Sequence, residues 1–351
     1  MKRLLVTLDF PPEKGGIQKY LDQIVRHTFS SEDMVVVGTS GKVSGRVDAF
    51  PCRVQYCFTP LSRFNKKFST FPLFLKVFTC VRKKSAGRIE CGNIYAAVAP
   101  FLVSLFLPVG YNVYTYGTEL TVLGKRGIRP FFLRKVLLRA ETIYVLGSYT
   151  EMLLRRCGIR KPVTKVPPRI TVRVPEEKVG HSDYTELLNV GRLVYHKGQD
   201  NLLRAVSRLP SALRWRLTIV GDGPRRKALG ELAEELGIEG RVRFLGNVED
   251  TVLEKEYQKA SLFIFPSRED TGGTEGFGIV LLEAMNHGVP IIASRTGGIT
   301  EVLDEGECGM LVNPDDPSAL ASAIIRLAVS KRLQKEYALK ASKRLREKYA
   351  W

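Results

Sequence analysis

Short apolar runs alternate along this chain with stretches in which apolar positions recur every three to four residues. KRLLVTLDF, MVVVGTS and TIYVLGS are runs of the first kind, and GGIQKYLDQIVRHT, between the first two, has helical spacing. Residues 92–118 hold no charged side chain, which raises the question of a membrane span. Pro100, Pro108, Gly110 and Asn112 break the stretch, so it divides into a strand NIYAAV, a helix PFLVSLFL and a strand YNVYTY, all buried. Pro162, Pro167 and Pro168 then interrupt regular structure, and 167–184 reads as a linker. A second series starts at ELLNVGRL and continues through RLTIVGDG, VRFLG, LFIFPS and PIIAS, with helical segments between. Short apolar strands alternating with helices predict parallel sheets. The expectation is an α/β protein with two Rossmann-like domains facing a cleft, residues 1–167 and 168–351. No internal repeat stands out.

A chain of 351 residues can build two full-sized cores. Its six cysteines include no C-x-x-C pair and its histidines number only four, which reads as a reduced, metal-free, cytosolic protein. No Asp-x-Asp occurs to clamp a metal–diphosphate, and MKRLLVTLDFPP is broken by Asp9 too early to be a signal peptide. Charge changes the picture more. Residues 1–175 carry 29 Lys and Arg against 10 Asp and Glu, so the whole excess of +18 lies in the N-terminal half. A field that one-sided implies an anionic partner, whether nucleic acid, membrane surface or acidic acceptor, unless it is only a solvated basic face. Phe64, Phe68, Phe71, Leu75 and Phe78 recur at helical spacing with Lys66, Lys67, Lys76, Arg82, Lys83 and Lys84 among or after them. This predicts a basic amphipathic helix, interrupted at Pro72, that docks on an anionic bilayer; a core-facing helix would show the same stripe.

Candidate chemistry concentrates in FPSREDTGGTEGFGIVLLEAMNHGVPIIASRTGG, residues 265–298. A glycine-rich loop with Glu275 runs into a helical segment that carries Glu283 and stops at Gly288. Eight residues at a rise of 1.5 Å put the two carboxylates about 12 Å apart if the whole span is helical. A helix N-terminus suits phosphate, and carboxylates one or two turns away suit hydroxyls. The simplest ligand with phosphate between two hydroxyl-bearing ends is a nucleoside diphosphate sugar. Gly15-Gly16, between a first strand and a helix, lets backbone N–H groups approach a phosphate or sugar closely, or simply makes a tight turn. Arg192 and Lys197 can together neutralise a diphosphate without metal. Gly221–Gly223 lacks the third glycine of a dinucleotide fingerprint, since Arg226 stands there, and reads as a strand-end turn with Asp222 a weak candidate.

The E-x7-E pair Glu275 and Glu283, followed by GVPIIASRTGG, is similar to the signature of the retaining family 4 (group 1) glycosyltransferases of GT-B architecture. LDFPPEKGGIQKYL, VGRLVYHKGQDNLL and IVGDGP extend the resemblance over most of the chain, in wording closest to the phosphatidylinositol mannosyltransferase branch. The resemblance implies that Glu275 contacts the donor sugar and Glu283 the ribose. It implies further that Arg192 and Lys197 grip the diphosphate, and that Gly15, Gly16, Gly276, Phe277 and Gly278 complete the donor site. The family's H-G-x-E appears here as Tyr116-Gly117-Thr118-Glu119. A tyrosine with a pKa near 10 is a poor substitute for a histidine base. Tyr116 stands as a catalytic candidate by position only, and the leaving phosphate can take the acceptor proton instead. His196 and His287 lie in the second half and read as structural.

The sequence thus predicts a retaining, metal-independent, cofactor-free transferase that moves a hexosyl group, mannose by resemblance, from a GDP- or UDP-sugar. The acceptor would be a glycolipid or saccharide bound by the N-terminal domain at the inner face of the cytoplasmic membrane. A sugar-nucleotide epimerase on the same architecture is the alternative enzyme. A basic nucleic-acid-binding protein is the other class, without any recognisable nucleic-acid module. The last helix, ending in KRLREKYAW, is expected to turn back toward the N-terminal domain, with more chain beyond it in relatives.

Overall fold

The computed structural model describes residues 2–13, 15–39, 50–57, 70–83, 86–124, 127–173, 183–270 and 273–351. They form two compact units, Met1–Pro168 and Arg169–Trp351. The first runs β1 (Arg3–Thr7), α1 (Gly16–Thr28), β2 (Met34–Gly38), β3 (Arg53–Cys57), α2 (Thr70–Arg82), β4 (Arg88–Cys91) and α3 (Val98–Val103). It continues with β5 (Tyr111–Thr115), α4 (Leu120–Leu123), α5 (Ile128–Arg139), β6 (Thr142–Val145), α6 (Ser148–Arg156) and β7 (Val163–Lys165). These strands make one parallel sheet in the order β3-β2-β1-β4-β5-β6-β7. The order reverses between β1 and β4, and in open α/β sheets ligands bind outside the carboxyl ends of the strands at such a point.

Two local readings are corrected here. NIYAAV is not a strand; the strand is RIEC just before it, and residues 93–97 turn into α3. The polar look of RIEC hid it. Glu90 is buried yet satisfied, with Arg88 3.2 Å away and Tyr114 donating its hydroxyl over 3.1 Å. Pro72 does not interrupt α2 either, because it falls in the first turn, where a missing N–H costs nothing. Phe71 and Leu75 of the stripe point outward from α2, whereas Phe78 packs against the core that Leu73 and Val77 enter. Phe64, Lys66, Lys67, Phe68 and Lys84 lie outside the described residues.

The second unit runs β8 (Thr185–Val190), α7 (Gln199–Val206), β9 (Trp215–Val220), α8 (Arg226–Glu235), β10 (Val242–Gly246), α9 (Asp250–Lys259) and β11 (Leu262–Phe265). Then follow α10 (Ile279–Asn286), β12 (Ile291–Ser294), α11 (Ile299–Val302), β13 (Met310–Val312), α12 (Pro317–Ala328) and α13 (Lys331–Lys348). Its parallel sheet has the order β10-β9-β8-β11-β12-β13 and reverses between β8 and β11. Leu187, Leu217, Ile219, Ile264 and Ile292 fill one face of that sheet under α7, α8 and α12. The last helix, α13, packs on α10 and α12 within this unit, and Ala350 beyond it bridges to Ile170.

Candidate active site

At the reversal in the second sheet, two loops leave adjacent strands and meet. The loop after β8 passes Arg192 and makes a single 3-10 turn over Tyr195–Lys197. The loop after β11 carries Arg268, Glu269 and Glu275 toward α10. Three contacts fasten them. Arg268 N–H donates to the His196 carbonyl over 2.8 Å. Gly198, left-handed at φ 68°, abuts Pro266 so closely that a Cβ would stand 1.9 Å from its carbonyl oxygen. The buried His196 ring lies against Gly273, where a Cβ would come within 2.8 Å of Nδ1. Burial and the neighbouring Lys197 push the His196 pKa down, so this imidazole fills space rather than carrying charge.

The two fastened loops bring Lys197 and Glu275 together, 78 residues apart in sequence. Lys197 Nζ pairs with Glu275 Oε2, and the two side chains are only 16% and 13% exposed. The ammonium also lies 4.9 Å from the centroid of the Phe265 ring. Arg192 is exposed and forms no ion pair among the described residues. Two of the candidate donor-site residues, Lys197 and Glu275, are thus brought together, each neutralising the other.

Glu275 and Glu283 do not share one helix. Gly278 adopts φ 86°, which only glycine takes easily, and α10 begins after it, so the 12 Å spacing drawn from a continuous helix does not hold. Glu275 is held by its backbone instead. Gly298 N–H donates to the Glu275 carbonyl over 2.9 Å. Gly297 and Gly298 lie so close beneath that a Cβ on them would meet the carbonyls of Glu275 and Gly276 at 2.2 and 2.1 Å. Phe277 is buried edge-on to Tyr349, with centroids 5.4 Å apart. Glu283 is half-buried, and Tyr257 donates its hydroxyl to Oε2 over 3.0 Å. His287 stacks on Tyr257 at 5.0 Å, a structural place. Gly221 and Gly223 pack directly under the carbonyls of Gly191 and Leu193, and Asp222 accepts from the Gly223 N–H over 2.7 Å, as a strand-end turn requires.

One residue that the sequence reading passed over locks the assembly. Arg268 looks like surface charge in PSRED but is buried, 2.9 Å from Asp200 and 2.8 Å from Asp315, with its guanidinium 4.5 Å from the Tyr195 ring centroid. It ties the Glu275 loop to the turn that holds Lys197.

In the first unit Gly15 caps α1, its carbonyl accepting from Lys19 N–H over 3.0 Å, and Gly16 opens the helix. Tyr116 departs from its assigned place. Its hydroxyl donates to the Gly92 carbonyl over 2.6 Å, and burial followed by Tyr20 and Glu119 pushes its pKa well up, so it is a core donor and no proton acceptor. The groups at this sheet's reversal are others. Asp9 follows β1 and accepts from Asn93 (2.6 Å) and Gln18 (3.3 Å), while Glu119 follows β5 and accepts from Tyr116 N–H over 2.6 Å. Burial, with Asp9 adding to it against the backbone hydrogen bonds, lifts the Glu119 pKa from 4.5 to about 7. The protonated form therefore contributes stability that is full below about pH 4.5 and lost as pH rises through about 7. Replacing Glu119 by Gln keeps the acceptor for Tyr116 N–H and removes the titration. Melting curves across this range should then fall with pH for the wild type and stay flat for E119Q; parallel curves would refute the assignment.

Among the described residues no group of three or more His, Cys, Asp or Glu is placed to hold a metal ion. Nor is any helix there long and apolar enough to cross a membrane.

Residues 175–344 match the family described as glycosyl transferases group 1. The GDP-mannose-dependent alpha-(1-6)-phosphatidylinositol monomannoside mannosyltransferase of Mycolicibacterium smegmatis is 28% identical over 348 residues, covering 92% of this chain and 87% of that protein. The GDP-mannose-dependent monoacylated alpha-(1-6)-phosphatidylinositol monomannoside mannosyltransferase of Corynebacterium glutamicum is 28% identical, covering 93% and 88%. Sucrose-phosphate synthase from Thermosynechococcus elongatus has the same fold, with a TM-score of 0.86 at 21% identity over 100% of this chain and 95% of that one. HepE from Anabaena in complex with UDP-glucose superposes with a TM-score of 0.81 at 19% identity over 99% and 95%.

Proposed function

We propose that this chain, which belongs to the group 1 glycosyltransferases and has their GT-B fold, moves a mannosyl group from GDP-mannose to a lipid-linked acceptor, with retention at the anomeric carbon and without a metal. The observation that carries this reading is the Lys197–Glu275 pair at the sheet reversal, a cation suited to diphosphate beside a carboxylate suited to sugar hydroxyls. Arg192, Lys197 and the backbone N–H groups of 276–279 at the start of α10 would take up the charge that develops on the leaving diphosphate. Glu275 would orient the sugar, and the Glu283 carboxylate would accept from the ribose hydroxyls. As the acceptor oxygen bonds to the anomeric carbon, the carbon–oxygen bond to phosphate breaks and its electron pair stays on the diphosphate. The acceptor proton passes to a phosphate oxygen, so the locked hydroxyl of Tyr116 has no part. The acceptor would be met at the cytoplasmic face of an anionic membrane, with the basic first unit toward the lipid.

A thermal-shift panel of GDP, UDP and ADP with their sugars tests the donor site. At a hundredfold excess over Kd the bound nucleotide should stabilise the fold by about 2.7 kcal/mol and raise Tm by a few degrees. GDP is expected to shift Tm most, following the relatives' donor. No shift with any of the three would end the proposal.

A further inference from the structure

The second sheet carries a cleft that the donor reading leaves unused. It lies along the first residues of β8, β9 and β10, encloses about 500 Å3, and is bounded on one side by the end of α9. Parallel pairing sets Glu186 beside Arg216 and Arg243 beside Thr218. Side chains alternate along a strand, so Arg216 and Thr218 point away from the face that Leu217 and Ile219 fill under α7 and α8. The last residues of β8 and β9, Val190 and Val220, stand about 13 Å further on at the rise of a strand. The Lys197 turn leaves β8 beyond that point. The cleft and the Lys197–Glu275 pair therefore occupy opposite ends of the same strands.

Four bases line this cleft, Arg216, Arg241, Arg243 and Lys259, against two acids, Glu186 and Glu256. The chain beyond residue 175 carries no positive excess, so two surplus positive charges here set the cleft apart from its surroundings. Arg243 and Lys259 are engaged. Glu256 is buried, with Arg243 2.7 Å from one carboxylate oxygen and Lys259 3.4 Å from the other. Arg216 and Arg241 form no ion pair among the described residues. They lie over the rings of Tyr184 and Trp215, 3.9 and 5.4 Å from the centroids. Stacking holds a guanidinium by its flat face and spares the N–H edge that grips oxyanions. Thr218 is buried, and its hydroxyl accepts from Arg243 over 3.3 Å but donates to no group among the described residues.

We propose that this cleft is a second ligand site, built for a small phosphate monoester. Arg216 and Arg241 take phosphate oxygens in pairs, and the Thr218 hydroxyl donates its proton to a further oxygen. A dianion matches the two surplus charges, whereas a single carboxylate leaves one of them unmet. The Glu186 carboxylate repels phosphate and suits a hydroxyl, which favours an ester with a hydroxylated organic part over inorganic phosphate. A volume of about 500 Å3 accommodates a molecule of that size.

Full-length protein is titrated calorimetrically with glycerol 3-phosphate and with ribose 5-phosphate, glycerol and ribose serving as neutral controls. At least one ester should bind one-to-one, and neither neutral compound should bind. The double change Arg216→Gln with Arg241→Gln keeps part of each stem on its ring and removes both guanidinium groups. It should hold the wild-type Tm and weaken the ester about tenfold for each guanidinium lost. Lys197→Ala should bind the ester as the wild type does. A wild type that binds neither ester overturns the proposal, and so does equal binding by the double variant. Loss of the ester in K197A with retention in the double variant places the phosphate at the Lys197 site and overturns it as well. Whether GDP binds does not enter these titrations, so the donor reading and this one fail separately.

Discussion

Replacing Glu275 by Gln should abolish transfer to within about a thousandth of the wild-type rate and, at the same time, tighten the binding of bare GDP. The two effects have opposite sign because, on the proposed reading, Glu275 would serve two partners in turn. In the protein without donor its carboxylate holds Lys197, in a setting where both side chains are largely shielded from water. On the proposed reading a diphosphate would have to take Lys197 from that carboxylate. Two unit charges at contact attract by about 4 kcal/mol at an effective dielectric of 20, and most of that is offset when the phosphate takes over the ammonium. A residue of about 1.4 kcal/mol opposes binding, so glutamine at 275 should lower the Kd of GDP about tenfold. GDP-mannose should gain less, because its hydroxyls lose the charged acceptor that orients them. Misplaced sugar and lost charge complementarity cost about two to three orders of magnitude in rate. Calorimetric titration with GDP and with GDP-mannose, beside initial rates, reads both limbs. Wild-type turnover in E275Q would remove Glu275 from the site. Unchanged or weaker GDP binding would mean that the Lys197 pair does not compete with phosphate. Lys197→Ala supplies the control and should weaken GDP.

This competition was not legible in the sequence, although both residues were. Arg192 and Lys197 stand out as paired bases after an apolar strand, and Glu275 stands out in a glycine-rich loop. What joins them is non-local: a 3-10 turn, the close approach of Gly198 to Pro266, and Arg268 gripping Asp200 and Asp315. Alternating apolar runs give the sheets because strand periodicity is local. They cannot give the strand order that puts β8 beside β11 and so fixes the place of the site. Errors followed the same division. RIEC does not look like a buried strand because nothing local shows that Glu90 pairs with Arg88 beside it and with Tyr114 on the neighbouring strand, and NIYAAV looks like one because it is apolar. The continuous helix from Glu275 to Glu283 failed on a single φ, that of Gly278, though a glycine at that spot is an available hint. Tyr116 stands out only through its position in a motif, while its hydroxyl answers to Gly92, just after the neighbouring strand β4.

Placing alanine at 298 should cost activity well out of proportion to stability, although Gly298 offers no chemistry. The Cβ would stand 2.1 Å from the Gly276 carbonyl oxygen, nearer than any real Cβ contact, and the obstacle is backbone that cannot rotate aside. The Glu275–Gly278 segment must rise by about 1 Å, and a displacement of that size in a positioning loop costs about a hundredfold in rate. Gly297 acts likewise on the Glu275 carbonyl and adds a left-handed φ of 55°. Gly288 makes the comparison clean. It is also left-handed, at φ 61°, and a Cβ there meets nothing within 4 Å. Its alanine variant should therefore show only backbone strain, about 1 kcal/mol, and keep its turnover. Measured together, kcat and Tm separate the two effects. If G298A and G288A lose activity in the same proportion to their loss of Tm, Gly298 is only a turn. If G298A loses about two decades of kcat beyond G288A at comparable Tm, the catalytic geometry of Glu275 is set from below, by two glycines whose missing side chains let its backbone lie where the sugar needs it.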